Sequence, residues 1–388
     1  MMKRFYFFFP VMALLTLLSP SATADADAAK SLEQQANEKM QEILTEQRAI
    51  GLSVAVVKEG KLVYTSGFGY KNLEDRTLVS PEDIFRIASV SKSITTTAIM
   101  QLFERGKFKL DDDVSDALGI TVRNPNFPDT PITYRMLLTH TSSLNDAMGY
   151  FSFNTIDRSV NDDFGKAYNK YAPGTTYQYC NMGYNMLGAL VEIHSGERFD
   201  TYVENHILKP IGMVGSFNAD TLDASRFVTL YTYRDGNPVA SRGVYGSPAA
   251  GLENYVKGRN TFLFSPTGGM KTAPKYLARH MMVQMNGGTV DGVQVLKPES
   301  VATMQTPLRE DVQYGFATRT VNNLVEGVTL KGHTGSAYGL FSAMFFCPEK
   351  KFGFIMMTNG YPEKKSANDF LTIQTDVINA LYDIFIKE

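Results

Sequence analysis

Cysteine is almost absent, with only Cys180 and Cys347 in 388 residues. Two are too few for a disulfide framework, so a buried core must hold the chain together, and both are expected to remain free thiols. An excess of one charge is also missing: 40 acidic residues stand against 38 basic ones, for a formal charge of −2. No basic block tracks a phosphate backbone, which removes nucleic acid from the expected partners. The five histidines form no HExxH, there is no CxxC, and the run Asp111-Asp112-Asp113 lacks the spaced ligands and glycine of a calcium loop. Neither a metal nor another cofactor is therefore expected. The amino-terminal apolar run, 14 residues from Phe5 to Leu18, contains Pro10 and falls short of the ~20 residues of a membrane helix.

That run reads instead as an export signal. Lys3 and Arg4 precede it, small residues ending in Ala22-Thr23-Ala24 follow it, and a cut after Ala24 is predicted. The expected location is periplasmic or secreted, with no stable membrane anchor. The remainder has ordinary globular composition, 44% hydrophobic and 20% charged, and a length suited to two domains.

Leu32, Ala36, Met40, Ile43 and Leu44 recur at helical spacing, which predicts a helix over 31–48. Segments 52–58 and 62–69, rich in Val, Tyr and Phe and parted by Glu59-Gly60, predict a hairpin. Ser89 opens a segment whose Ile94, Ala98, Leu102 and Phe103 share a face and which ends at Gly106. From 108 to 220 strand signals are scarce, and the clear element is a helix from Met182 to His194. A strand at 227–233 precedes the Asp235-Gly236 turn, a hairpin pairs 342–347 with 352–358, and a last helix carries Phe370, Ile373, Val377, Leu381 and Ile384. Strands at both chain ends with helices between predict an α/β (α+β) fold. Its antiparallel sheet is built from both termini and flanked by helices, with a mostly helical domain, 108–220, inserted between 25–107 and 221–388. The long stretch from Val239 to Pro266 is read as a functional lid or a disordered segment, and its Tyr245, Tyr255, Phe262 and Phe264 as pocket lining or as packing against the body.

Three short motifs carry chemistry. Ser89-Val90-Ser91-Lys92 puts a hydroxyl and an amine one turn apart at a helix start. A serine hydroxyl attacks only when a base takes its proton, and burial disfavours charged Lys92, freeing its lone pair for that task. A single SxxK arises about once by chance in such a length. Tyr179-Cys180-Asn181 follows the Pro173-Gly174 turn. A tyrosine of depressed pKa there can relay a proton, and an amide two residues on can bind a substrate carbonyl. Tyr70-Lys71-Asn72 and Ser143-Leu144-Asn145 have related patterns but read as a hairpin end and a helix end. His333-Thr334-Gly335 sits on a strand, where Gly335 would let a substrate backbone lie against the edge. His194-Ser195-Gly196 has the same form but reads as a helix cap.

The order and the separations of 90 and 154 residues make the set specific. With it the chain resembles the serine β-lactamase and penicillin-binding-protein superfamily, most of all the class C-like branch with its D,D-peptidase and esterase relatives. The resemblance runs from about Gly51 to Gly360. It takes in LLTHTSSL at Leu137–Leu144, where Ser143 replaces a family glycine, and the glycine-rich turn at Pro266–Arg279. It implies that Ser89 is the nucleophile, that Lys92 and Tyr179 shuttle its proton and that Asn181 orients the substrate. The oxyanion would lie between the N–H groups of Ser89 and Ser336, with His333, Thr334 and Gly335 on the substrate-binding strand. His333 stands where class C β-lactamases have Lys, which weighs against β-lactamase activity. The expected function is that of an exported serine hydrolase passing through an acyl-Ser89 intermediate on ester or amide groups of a small-molecule or peptide substrate. A β-lactamase, an acyltransferase and a penicillin-binding sensor without turnover are the alternatives.

Overall fold

The computed structural model describes residues 30–387. The export signal and its cut lie outside them. Ser31 and Gln34 close a reciprocal cap, with Gln34 N donating to Ser31 Oγ at 3.2 Å and Ser31 N to Gln34 Oε1 at 2.9 Å, and start α1 (Leu32–Glu46). The chain then enters β1 (Gly51–Lys58) and β2 (Lys61–Asn72), joined by Glu59 and Gly60 at φ 53° and 71°. Two consecutive positive φ values make the turn whose twist matches a hairpin. A short β3 (Thr77–Leu78) follows.

The other strands come from the far end: β4 (Arg319–Val325), β5 (Val328–Ala337), β6 (Leu340–Cys347) and β7 (Phe352–Thr358). All seven form one antiparallel sheet in the order β4-β5-β6-β7-β1-β2-β3. The two ends meet where β1 pairs with β7, Leu52 opposite Thr358. Both faces are covered, so β1 is buried from Gly51 to Val57 rather than alternating between core and solvent. Leu52, Val54 and Val56 join the core under α1 and the final helix (Thr372–Phe385), whereas Ala55 and Val57 face the opposite core.

In that second core α2 (Ser91–Glu104) packs beside α3 (Asn181–Ser195), and α4 (Pro274–Met285) lies against the sheet; Thr372–Phe385 is α5. Every residue of α2 from Ser91 to Leu102 is buried, and its hydroxyls find partners: Thr95 donates to Pro266 O at 2.8 Å and Thr97 to Ser93 O at 3.0 Å. Gly196 ends α3 at φ 76°, the cap read from the sequence.

The segment 227–233 departs from expectation. Only Tyr231–Arg234 is a strand, and it pairs with Asn237–Ala240 as a separate ribbon through Asp235-Gly236. Phe227 makes an isolated bridge to Ile84 and stacks on Tyr245 at 4.4 Å, so its backbone is already committed. Phe370 precedes α5 rather than lying within it. The stretch from Val239 to Pro266 packs on the body: Tyr245 donates to Val228 O at 2.9 Å, Tyr255 bonds Glu192, and Phe262 meets Phe153 edge-on at 4.7 Å. Both cysteines are free and buried. Among the described residues no helix is long and apolar enough to cross a membrane.

Candidate active site

Ser89 lies in a 3-10 turn, Ala88–Val90, that runs into α2 at Ser91, so the serine stands two residues ahead of the α-helix rather than opening it. Ala88 is held at φ 48°, in the left-handed region that a residue with a Cβ rarely adopts. Strand β5 fixes this turn from one side. A Cβ on Gly335 would come within 2.5 Å of Ile87 O and 3.2 Å of Ala88 Cβ, and Ser342 Oγ of β6 donates to Ile87 O at 3.0 Å. The missing side chain thus makes room for the Ser89 turn.

Lys92, one turn on, is completely buried. Its Nζ donates to Ser89 Oγ at 3.2 Å, Asn181 Oδ1 at 3.0 Å and Thr267 O at 2.9 Å. Burial pushes the amine down to about 7, opposed by the negative charge of Asp146. A neutral amine beside a serine hydroxyl is a base ready to accept its proton.

The ring of Tyr179 lies 4.7 Å from Lys92 Nζ. Among the described residues its buried hydroxyl has no hydrogen-bond partner, and burial holds the phenol well above its usual value, while nearby Ser89 draws it only part of the way back. The depressed pKa expected of this tyrosine is therefore not what the site provides. Tyr179 stays a neutral phenol, suited to passing a proton between neighbours rather than to holding a charge.

Asn181 is the first residue of α3 and its amide is engaged at both ends. Oδ1 accepts from Lys92 and from Thr267 Oγ1 at 2.7 Å, and Nδ2 donates to Asp146 at 2.9 Å. Asp146 also accepts from Asn181 N at 2.9 Å and Met182 N at 3.0 Å. It thereby supplies from a distant loop the cap that Cys180 does not. Ser143 precedes it at φ 63°, the conformation that a family glycine would take without strain.

His333, on β5, is 4% exposed. Its Nε2 meets Tyr314 Oη at 3.0 Å and its Nδ1 meets Thr334 O at 2.5 Å. The carbonyl can only accept, which puts the proton on Nδ1 and makes Tyr314 the donor to Nε2. Burial, with Lys92 nearby, pushes the imidazole down to about 3, so it is neutral across the working pH range. His140, in the LLTHTSSL segment, packs between Tyr179 and Tyr184 and accepts from Cys180 N at 3.1 Å.

A cavity of about 810 Å³ opens over these groups, its wall including Ser89, Tyr179, Asn181, His333, Thr334 and Ser336. Of the residues singled out from the sequence, Lys92 sits behind the wall and the others, apart from Gly335, form part of it. The decoy Tyr70 borders a separate cavity of about 470 Å³, and Asn72 caps its own turn by accepting from Glu74 N at 2.8 Å. Asp146, Thr267 and Tyr314 were not found from the sequence. The first two had a faint signal, lying after LLTHTSSL and inside the Pro266–Arg279 turn, and Tyr314 had none.

A family model described as Beta-lactamase matches residues 34–375. "Protein flp" of Staphylococcus aureus (strain N315) is 25% identical over 318 residues, 80% of this chain and 59% of that one, so the chain spans less than two thirds of this relative. The octameric penicillin-binding protein homologue from Pyrococcus abyssi superposes with a TM-score of 0.69 at 25% identity, covering 90% of this chain and 76% of that one. A D-amino acid amidase from Ochrobactrum anthropi SV3 superposes at 0.68 over 90% of this chain and 98% of that one. At 19% identity it speaks to the fold alone.

Proposed function

The chain belongs to the beta-lactamase family and has its fold, and on that premise we propose that it is a serine hydrolase acting through an acyl-Ser89 intermediate on esters or amides. The observation that carries the reading is the buried Lys92 amine, 3.2 Å from Ser89 Oγ and with its pKa brought to about 7.

Ser89 Oγ attacks the substrate carbonyl carbon while its proton passes to Lys92 Nζ. The carbonyl oxygen becomes an oxyanion between the N–H groups of Ser89 and Ser336. As the tetrahedral adduct collapses, Tyr179 hands its phenolic proton to the departing oxygen or nitrogen and is reprotonated from Lys92, which restores the neutral amine. Water then attacks the ester carbonyl, its proton follows the reverse route to Ser89, and acid is released. Asn181 keeps the Lys92 amine aimed at Ser89 and shares its carbonyl with Thr267.

A neutral His333 supplies no fixed charge for a substrate carboxylate, so uncharged esters or amides are the favoured class. Arg319, on the cavity wall, is the cation a carboxylate would have to use. We further propose that the protein acts outside the cytoplasm, with Asp25 as its first mature residue, which amino-terminal sequencing of the native protein tests.

The functional test is a screen of the purified protein against nitrocefin, a D-Ala-D-Ala peptide and short and long p-nitrophenyl esters, with a fluorophosphonate label mapped by mass spectrometry. Ester turnover with the label on Ser89 is expected. Label on Ser91 or Ser336 overturns the assignment, and label on Ser89 without product release favours a sensor.

A further inference from the structure

The wall of the catalytic cavity has two ends of different chemistry. At one, Tyr177 and Tyr314 lie 5.4 Å apart between ring centroids, with His333 and Arg319 beside them. At the other stand Arg86, Tyr150, Phe151 and Tyr338, with the Arg86 guanidinium 4.9 Å from the Tyr338 ring and Tyr150 on Phe151 at 4.4 Å. Phe151 and Tyr338 leave 53% and 47% of their surface exposed at the mouth, unlike the buried aromatics of the core.

Tyr338 also sits in a backbone conformation that aromatics avoid. Ala337 pairs with Leu340, so Tyr338 and Gly339 are the two central residues of the β5–β6 turn, at φ 57° and 88°. The first central position of such a turn favours Asn, Asp or Gly, and a Tyr there is strained. The turn cannot relax, because a Cβ on Gly339 would come within 1.9 Å of Tyr231 O and Ser241 Oγ donates to Tyr338 O at 2.9 Å. A strained, exposed ring fixed over a cavity is the kind of outlier that marks function. Arg86 is held flat in turn by Gly268 O at 2.9 Å and Ser265 Oγ at 3.4 Å.

The direction of the substrate follows from the proton. The leaving group must meet Tyr179, whose ring lies 6.1 Å from His333 at the first end, so the acyl group extends toward the second. We propose that Tyr338, with Arg86, Tyr150 and Phe151, forms an acyl-side subsite that selects substrates with a flat aromatic acyl substituent. Aromatic faces and a guanidinium plane reward a ring that stacks and discriminate against a chain of equal bulk. The proposal rests on the acyl-Ser89 reading above.

The test is the pre-steady-state release of p-nitrophenol from the phenylacetate, hexanoate and acetate esters, which reports acylation whether or not product leaves. Wild type is expected to prefer phenylacetate to acetate by about tenfold or more, with hexanoate well below phenylacetate, as stacking predicts. Tyr338→Phe should keep this ratio. Tyr338→Asn should lower it by about tenfold, with a melting temperature equal to or above wild type because Asn suits the turn. An unchanged ratio in Tyr338→Asn, or a wild type without aromatic preference, overturns the subsite while Ser89-dependent release leaves the hydrolase reading standing. Release that persists in Ser89→Ala overturns both.

Discussion

Lys92 and Lys271 are the same residue in nearly the same predicament. Both are buried, and burial pushes both down to about 7. Their neighbours differ. Lys92 reaches a serine hydroxyl at 3.2 Å beside an open cavity, whereas Lys271, on the strand paired with Phe85–Arg86, donates among the described residues only to the main-chain carbonyls of Phe217 at 2.7 Å and Gly269 at 2.8 Å. A carbonyl has no proton to give, so the second amine has nothing to deprotonate. A lowered pKa marks a lysine as available, and only the identity of the adjacent atom makes it a base. Deeper in the fold, the hydrogen bonds of Lys271 tie Phe217 to Gly269.

The comparison breaks most sharply at the nucleophile and its base. Ser89→Ala is expected to lose nearly all turnover with the fold intact, and Lys92→Ala to lose about 10²- to 10⁴-fold in kcat/KM, the range of a general base. Lys271→Ala should stay within about tenfold because it touches no reacting atom. Equal losses in the two lysine variants would show that burial, not adjacency, governs function. Next comes the relay: Tyr179→Phe should slow ester turnover by about ten- to ten-thousand-fold while Tyr70→Phe is near neutral, and equal effects would remove Tyr179 from the path.

A smaller effect concerns charge at β5. His333→Lys should raise kcat/KM for nitrocefin by about ten- to a hundredfold, the worth of a charge-assisted contact. Efficient wild-type cleavage of nitrocefin that is indifferent to His333→Lys and Arg319→Ala would sink the argument from His333. The finest discrimination is by pH. A neutral Lys92 is the active form, so kcat/KM should rise with pH to a plateau, with its midpoint near 7. Stability should also rise between about 7 and 10.5, because there the unfolded chain carries protons on both lysines that the folded chain does not. Lys271→Met should reduce that slope by about one proton, ~1.4 kcal/mol per pH unit, without moving the rate midpoint. Denaturant unfolding at two pH values together with a rate profile separates the cases, and a shifted midpoint in Lys271→Met would tie that amine to the chemistry.

Much of the sheet was legible because β1, β6 and β7 are mostly apolar runs and Glu59-Gly60 is a turn signal that needs no tertiary help, as Asp235-Gly236 is for the separate ribbon. The strand before Asp235 was read too long because Phe227 and Val228 have strand-like side chains, but Phe227 N donates to Ala224 O and Val228 N to Ile84 O. Ser89 and Lys92 were visible through local spacing. Asp146, Thr267 and Tyr314 were not, because each acts on a partner far along the chain: Asp146 on Asn181, Thr267 on Lys92, Tyr314 on His333. A lone Asp, Thr or Tyr has no period or cap to announce such a partner. The inverted pKa of Tyr179 belongs with these, since burial by surrounding rings cannot be seen in its own tripeptide.

The pairing of β1 with β7 also sets when the site can be assembled. Leu52 and Thr358 are neighbours in the sheet yet are separated by about 300 residues of chain, a contact order that predicts slow folding limited by loop closure. During synthesis the Ser89 turn and its lysine emerge about 240 residues before the strand that braces them and carries His333. The Ser89 turn is therefore made without a wall to work against, and β1 waits with one edge unpaired until β7 is made.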